Sequence, residues 1–217
     1  DMAGNPDIYV IQADGTGLTQ LTDDPAFDDS PDLSPDGSRV VFLSARNDPD
    51  PQFPNFIYDI YMVNIDGSGL TPLTATDEAE DHPSWSPDGA KILFDADYDG
   101  DGYFEIYSMA VDGRDLIRLT EGPHNDQFGE WSPDGKTMYY IDTPTREVLA
   151  YDFHGKTGNI SNRRVAVHIP DDTGVPDGMT VDEQGKLWIA HWGGYGVYRW
   201  DPLTGKLLEK IDVPARQ

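Results

Sequence analysis

Four oxygen-bearing side chains stand at matching positions in four similar stretches of the sequence, namely Asp29, Asp81, Gln127 and Asp177. If these stretches are equivalent strands, the four side chains meet around one end of the fold. Carboxylate and amide oxygens are the ligands that Ca²⁺ prefers in proteins. The alternative is that each Asp accepts hydrogen bonds from backbone N–H groups at the start of its own strand.

An acidic loop, "DYDGDGYFE", offers a separate set of cation ligands. Asp97, Asp99 and Asp101 alternate along it, Gly102 permits a sharp bend, and Glu105 follows. This spacing is similar to that of calcium-binding loops. The alternative, which we favour, is an ordinary glycine-rich hairpin loop that is more acidic than usual.

The composition excludes several kinds of function. The chain has 217 residues, with 40 Asp and Glu against 15 Lys and Arg, and no Cys. A surface this acidic repels nucleic acid and anionic lipid, so we expect neither a nucleic acid nor a membrane partner. Without Cys there is no disulfide and no thiolate, and the sequence contains no H-E-x-x-H or G-x-S-x-G motif. No apolar run approaches membrane-spanning length, so we expect a soluble protein.

Two repeated phrases in the sequence predict the strands that position these side chains. The first, "DIYVIQADGTGLTQLT", begins at Asp7 and returns in similar form at Asp59 and Glu105. The second, "DLSPDGSRVVFLS", begins at Asp32 and recurs twice further along the chain. Pro and Gly set up tight turns in both phrases, and the flanking runs are rich in β-branched and aromatic residues. Each repeat therefore predicts four short antiparallel strands, which is typical of a propeller blade.

We predict an all-β fold, a β-propeller of four full four-stranded blades plus an N-terminal half blade, as a single domain over residues 1–217. The predicted full blades are Phe27–Thr76, Asp81–Glu121, Asp126–Ile169 and Val175–Val213. The half blade, Asp7–Thr22, lacks inner strands and should leave exposed strand edges. An unpaired edge is a template for another chain, so we expect self-association there or fraying of this segment.

The repeats resemble known families. Residues 1 to about 143 resemble the blades of TolB-type propellers, which would imply a protein partner and a periplasmic or other extracytoplasmic location. Residues from about 131 to 217, with "VPDGMTVDEQGKLWIAHWGG", resemble the C-terminal half of the regucalcin, senescence-marker and gluconolactonase propellers. The phrase "WSPDGKTMYYIDT", residues 131–143, is similar to both. We interpret it as the seam of an engineered chimera or fragment; the alternative is a natural propeller whose blades diverged unequally.

The second resemblance implies a calcium- or zinc-dependent lactonase whose metal is held by an N-terminal Glu, an Asn and the Asp of P-D-G-M. That Asp is also the family's candidate general base. Only Asp177 matches, because Gln127 stands in the Asn position and the segment with the Glu is absent. We therefore expect a non-catalytic propeller that binds a divalent cation such as Ca²⁺, or a protein. The alternative is a metal-dependent sugar-lactone hydrolase that combines Asp29 and Asp81 with Gln127 and Asp177.

Overall fold

The computed structural model describes residues 5–49 and 57–213. The regular secondary structure of this part of the chain is β-strand apart from one short 3₁₀ helix at Asp171–Thr173. Among the described residues, no helix has the length and apolar character needed to span a bilayer. The strands are, in chain order, β1 (Tyr9–Val10), β2 (Thr19–Gln20), β3 (Asp28–Leu33), β4 (Arg39–Ser44), β5 (Asp59–Asn64), β6 (Thr71–Pro72), β7 (Glu80–Trp85), β8 (Lys91–Ala96), β9 (Glu105–Ala110), β10 (Ile117–Arg118), β11 (Asp126–Trp131), β12 (Thr137–Asp142), β13 (Glu147–His154), β14 (Asn159–His168), β15 (Val175–Val181), β16 (Leu187–Trp192), β17 (Gly196–Asp201) and β18 (Lys206–Asp212).

These strands form four four-stranded sheets and one two-stranded sheet. Each four-stranded sheet follows chain order, β3 to β6, β7 to β10, β11 to β14 and β15 to β18, and β1 pairs with β2. The registered pairs are antiparallel. The prediction of an all-β propeller with four full blades and an N-terminal half blade is confirmed, and the predicted blade limits agree with the strands to within a few residues.

The turn phrase S-P-D-G closes the first hairpin of each of the first three blades by the predicted chemistry. In its first copy Gly37 has a φ of +68° and its N–H donates to the Ser34 carbonyl at 2.8 Å. The Asp36 carboxylate accepts from the Ser34 and Ser38 hydroxyls, both at 2.7 Å. These bonds, with that from the Ser38 Oγ first, lower the pKa of Asp36 to about 2. The turn is therefore held in its ionised form across the physiological pH range.

The second strand of each of the first three blades is buried on both faces. In β4 the run from Val40 to Ser44 is buried throughout, and β8 and β12 repeat that pattern. A strand exposed on one face would alternate buried and exposed residues. These three strands instead have continuous buried runs, as expected for a strand covered on both sides. The half blade joins this packing, because Ile8 and Leu21 are buried in one cluster with Phe42.

The chain divides into two compact units, which the sequence did not predict. The first unit comprises residues 1–102 and 108–116, and the second comprises 103–107 and 117–217. The organisation of residues 1–217 as a single domain stays a prediction. Residues 131–143, the predicted seam, lie in the second unit, where β12 pairs with β11 on one side and with β13 on the other.

Candidate functional site

The inner strands of the first three blades carry a β-bulge directly after the predicted ligand. The register of β3 shifts between Asp29 and Asp32, and β7 and β11 shift in the same way after Asp81 and Gln127. The residue that follows each ligand has a positive φ: Ser30 (47°), His82 (47°) and Phe128 (57°). A bulge breaks the ladder and redirects the neighbouring side chains. Asp29, Asp81 and Gln127 therefore hold equivalent places, as predicted.

Asp177 differs from these three by one residue. In β15 the last paired residue is Pro176, opposite His191, so Asp177 lies inside the bulge itself together with Gly178. Neither of these two residues has a positive φ. The Asp177 side chain is exposed to solvent. The bulge thus presents this carboxylate outside the ladder, where a solute can reach it.

The segment before Asp177 is held from several sides within the second unit. The Arg146 guanidinium donates to the Pro170 carbonyl at 2.8 Å and to the Gly174 carbonyl. Gly174 has a φ of +86°, and a Cβ there would lie 2.4 Å from the Gly194 nitrogen. No residue other than glycine fits this approach without a shift of the backbone. Asp177 is therefore presented from a fixed piece of chain.

His191 was not predicted as part of this region. Its Nδ1 lies 3.0 Å from the Thr173 carbonyl oxygen, and its ring stacks on Tyr198 with centroids 3.8 Å apart. Burial lowers the pKa of His191, with Arg146 and Lys210 adding to the effect. A neutral imidazole with Nδ1–H directed at a carbonyl follows from these contacts. The sequence signal was weak, since a single His in a strand is usually part of the core.

In the first unit, Asp29 and Asp81 lie close enough for their charges to interact. Burial raises the pKa of Asp81, the proximity of His82 opposes that shift, and the charge of Asp29 adds to it. Burial is also the main cause that raises the pKa of Tyr58, and the charges of Asp29 and Asp81 add to it. Each Asp also accepts a backbone N–H, from Ser30 at 2.7 Å and from His82 at 2.9 Å. Both residues therefore accept backbone hydrogen bonds, as the alternative states. Their carboxylates still lie close to one another.

His82 and Asp95 join Asp81 in a cluster that the sequence did not predict. The His82 Nδ1 lies 3.0 Å from an oxygen of Asp95, and its Nε2 lies 3.6 Å from an oxygen of Asp81. The three residues each offer one ligand atom within 4.8 Å of the others. Asp95 is fully buried and pairs with Asp81 across the β7–β8 hairpin. Counting the register back from the S-P-D-G turn would have found it.

This cluster, the Asp81 cluster, has the donors for a divalent cation. Two carboxylates and an imidazole suit borderline ions such as Zn²⁺ and Mn²⁺ better than Ca²⁺, which prefers oxygen alone. The His82 ring lies between the two carboxylates, with one ring nitrogen near each. The residues therefore fit a cation, which would compete with a proton on His82.

The acidic loop is organised by one of its own carboxylates. Asp97 accepts the N–H groups of Gly100 at 2.9 Å and Asp101 at 3.1 Å through one oxygen, and that of Gly102 at 2.9 Å through the other. Asp97, Asp99 and Asp101 have oxygens within 4.8 Å of one another. This bonding agrees with the ordinary-hairpin alternative, in which the Asp shapes the turn.

Glu105, the predicted last ligand of that loop, is used differently. Its side chain is fully buried at the start of β9, and an oxygen lies 2.8 Å from the Arg118 guanidinium. A buried carboxylate paired with a guanidinium is held by that ion pair. Glu105 therefore serves the packing of β9 and β10, and the group of potential ligands in the loop consists of its three Asp residues.

A family model described as "SMP-30/Gluconolactonase/LRE-like region" matches residues 95–217. Regucalcin of Xenopus laevis is 47% identical over 79 residues, which cover 36% of this chain and 26% of that protein. The chain thus spans about a quarter of the length of the curated relatives that it matches.

Solved structures are similar over almost the whole chain. A gluconolactonase from Xanthomonas campestris has 25% identity and a TM-score of 0.67, covering 96% of this chain and 69% of its own. Regucalcin from Agrobacterium tumefaciens, described as a calcium-binding protein, has 19% identity and a TM-score of 0.68, with coverages of 97% and 68%. TolB from Acinetobacter baumannii has 21% identity and a TM-score of 0.70, with coverages of 94% and 48%. The last two likenesses show the fold alone.

These matches overturn the expectation of a non-catalytic propeller. The family match begins at residue 95, ahead of the predicted seam at 131–143, and runs through it to residue 217. An engineered junction at the seam would place the start of the match there. The alternative that we set beside the main expectation, a metal-dependent sugar-lactone hydrolase, is better supported.

Proposed function

This chain belongs to the SMP-30/Gluconolactonase/LRE-like family, and from that premise we propose that it acts in the metal-dependent hydrolysis of sugar lactones. The observation that carries the proposal is the place of Asp177. It lies in the "VPDGM" motif, inside the part of the chain that the family model matches, and its carboxylate is exposed in the β15 bulge.

The proposed reaction opens a cyclic ester. A water oxygen attacks the lactone carbonyl carbon, the bond from that carbon to the ring oxygen breaks, and the ring oxygen leaves as a hydroxyl group. The product is a hydroxy acid. Asp177, as a carboxylate, takes the proton from the attacking water and then returns a proton to the ring oxygen. An exposed carboxyl group on a fixed backbone is suited to this exchange.

The surroundings of Asp177 supply binding surface. Trp192, which is 76% exposed, pairs with Val175 across the β15–β16 ladder, two residues from Asp177. Tyr195, 46% exposed, follows in the β16–β17 turn. Exposed aromatic rings offer an apolar face to the C–H bonds of a sugar ring, and we assign these two side chains to substrate contact.

A divalent cation, when bound, polarises the lactone carbonyl. In the second unit, Asp177 and Gln127 are the oxygen donors for it, and Gln127 offers an amide oxygen of the same kind as an Asn. In the first unit, the Asp81 cluster and Asp29 offer carboxylate and imidazole donors. We propose that the chain binds a divalent cation through one of these two donor sets, each within its own unit, as the family relationship and the donors both support.

The experiment that tests this proposal compares the chain after chelation with the chain reloaded with Ca²⁺, Zn²⁺ or Mn²⁺. The opening of glucono-δ-lactone is followed by the acid that it releases, above the rate in buffer. We expect activity to disappear with the metal and to return on reloading. A rate that stays at the buffer level with every metal would contradict the proposal.

A further inference from the structure

A cavity of about 380 Å³ lies in the first unit, beside the chain that leaves β6 and the β9–β10 turn. Its walls include the apolar side chains of Leu73, Met109 and Leu116, and the hydroxyl-bearing side chains of Thr74, Thr76 and Tyr98. A volume of this order, with mostly apolar walls and a few polar groups, is typical of sites for small molecules. None of these residues belongs to the proposed lactone site.

The three hydroxyl groups of the cavity converge on one buried carboxylate. Glu80, which is 1% exposed, accepts from the Tyr98 hydroxyl at 2.6 Å and from the Thr74 hydroxyl at 3.0 Å, and the Thr76 hydroxyl lies 2.8 Å from it with the Glu78 carbonyl as a second acceptor at 2.9 Å. These hydroxyl donors favour the anionic form of the carboxyl group. The charge of Glu80 therefore lies directly behind the polar wall of the cavity.

These bonds fix what the wall can offer to a ligand. A hydroxyl group that gives its hydrogen to the carboxylate presents only oxygen lone pairs to any other group. The Thr74 oxygen already accepts the Ile60 N–H at 2.7 Å and the Thr76 oxygen accepts the Glu78 N–H at 3.2 Å, so each of these two oxygens keeps one acceptor position for a ligand. A ligand that fits must carry a donor at this end and an apolar body for Leu73, Met109 and Leu116.

The negative surroundings of Glu80 favour a ligand whose donor is positively charged. Glu80 is buried, and it lies near the carboxylate of Asp59 on β5. A positive ligand offsets both the burial and the repulsion from Asp59, whereas a negative ligand adds to them. The formal net charge of −25 acts in the same direction over longer range.

We propose that this cavity binds a small apolar ammonium compound. The stem of the compound packs against Leu73, Met109 and Leu116, and its ammonium group donates to the oxygens of Thr74, Thr76 and Tyr98. Glu80 supplies the negative charge through these hydroxyl groups. The site is independent of the proposed lactone hydrolysis.

The test uses the whole chain and three probes of one length: n-hexylammonium, 1-hexanol and hexanoate. Binding is measured by NMR through the methyl signals of Thr74, Thr76 and Leu116 as each probe is added to about 50 mM, a range suited to fragments of this size. We expect hexylammonium to bind about tenfold more tightly than hexanol, as a charge-assisted hydrogen bond implies, and hexanoate not to shift these signals.

Variants separate this site from general attraction to an acidic protein. Glu80→Gln should bring hexylammonium down to the affinity of hexanol, whereas Glu121→Gln, which removes an exposed charge, should leave it unchanged. Leu116, 51% exposed, gives a second variant that keeps the fold, and Leu116→Asn should weaken both probes. Equal binding of hexylammonium and hexanol, no shift of the cavity methyl groups, or equal effects of Glu80→Gln and Glu121→Gln would each overturn the proposal.

Discussion

Buried carboxyl groups open the inner strands of the first three blades, and their partners differ. Asp28 at the start of β3 pairs with the Arg46 guanidinium at 3.1 Å. Glu80 at the start of β7 has hydroxyl partners, and burial raises its pKa to about 7. Asp126 at the start of β11 is bonded by Thr120 and Tyr140, and burial raises its pKa to about 6. Hydroxyl donors compensate a buried charge less than a cation does, so two of these acids titrate near neutral pH.

The raised pKa of Glu80 makes a prediction for stability. The folded-state pKa of about 7 lies above the ordinary 4.5, so the folded protein holds a proton that the unfolded chain has lost between these pH values. The free energy of unfolding therefore rises as pH falls from about 7 towards 4.5, by up to about 1.4 kcal/mol per pH unit from this group. Urea titrations between pH 4.5 and 8 should show this slope in the wild type and a smaller slope in Glu80→Gln, in which Asp126, with its pKa raised to about 6, still contributes.

Glu78→Gln is the matched control for that measurement, because Glu78 is exposed and two residues away. Its pH profile should parallel that of the wild type. If Glu80→Gln keeps the wild-type slope, the buried carboxyl group does not bind the proton and the assignment is wrong.

Individual side chains were predictable where a turn fixes the register and unpredictable where a bulge changes it. Asp29, Asp81 and Gln127 were found by counting four residues back from the hydrophobic residue of each phrase, and the structure gives them equivalent places in their strands. Asp177 lies inside its bulge, whereas Asp29, Asp81 and Gln127 directly precede theirs. The spacing in the sequence does not show this difference. Asp95 was missed because it sits in an apolar run, where a buried partner has to be inferred from the opposite strand.

The hairpin loops combine repeated turn chemistry with local differences. Asp36 in the first S-P-D-G turn and Asp97 in the acidic loop both accept hydrogen bonds from neighbouring groups of their own loop. This shared chemistry is the reason that strand limits could be predicted well from the sequence. The acidic loop departs from the pattern only in carrying two further carboxylates, Asp99 and Asp101.

Substitutions in the acidic loop distinguish its own bonding from cation binding. Asp97→Ala removes the acceptor of three backbone amides, so we expect Tm to fall by about 2–4 °C with chelator present. Asp99→Ala is the matched control and should leave that Tm unchanged. A rise in Tm of the wild type with millimolar Ca²⁺ that Asp99→Ala abolishes would add a cation site. An Asp97→Ala protein as stable as the wild type would contradict the structural role.

The half blade is better anchored than its two short strands suggested. Ile8 is 3% exposed, and its N–H donates to the Thr22 hydroxyl at 2.9 Å. Among the described residues, β1 pairs only with β2. Its exposed side includes Ile11, 52% exposed, and Leu18, 65% exposed. Fraying at Ile8 is therefore disfavoured, and self-association through this side stays a prediction.

Sedimentation velocity tests that prediction. We expect the wild type to self-associate as its concentration rises, because exposed apolar side chains beside an unpaired strand edge favour pairing with a second copy. The double variant Ile11→Lys and Leu18→Lys should remain monomeric. Leu203→Lys changes a residue that is 87% exposed elsewhere and should behave as the wild type. A wild type that is monomeric at every concentration would contradict the prediction.

The fold was predictable from the sequence, whereas the prediction of the protein's function was wrong. Repeated turns and β-rich runs were sufficient to predict four blades and a half, because each repeat is one hairpin-based unit. The function was assigned from ligands that were missing relative to a family pattern. The family match from residue 95 shows that the relationship extends further towards the N-terminus than the quoted motifs indicated. A protein partner and the absence of a nucleic acid partner stay predictions, the latter from the net charge of −25.

The most direct test of the proposed function is the rate of glucono-δ-lactone opening by Asp177→Asn relative to the wild type, with the same metal loaded. Asparagine keeps the shape and cannot accept the proton from water, so kcat/KM should fall by about 10²- to 10⁴-fold. Asp172→Asn removes a nearby exposed charge and should retain the wild-type rate. Equal rates for the wild type and Asp177→Asn, above the buffer reaction, would contradict the central role of this carboxylate.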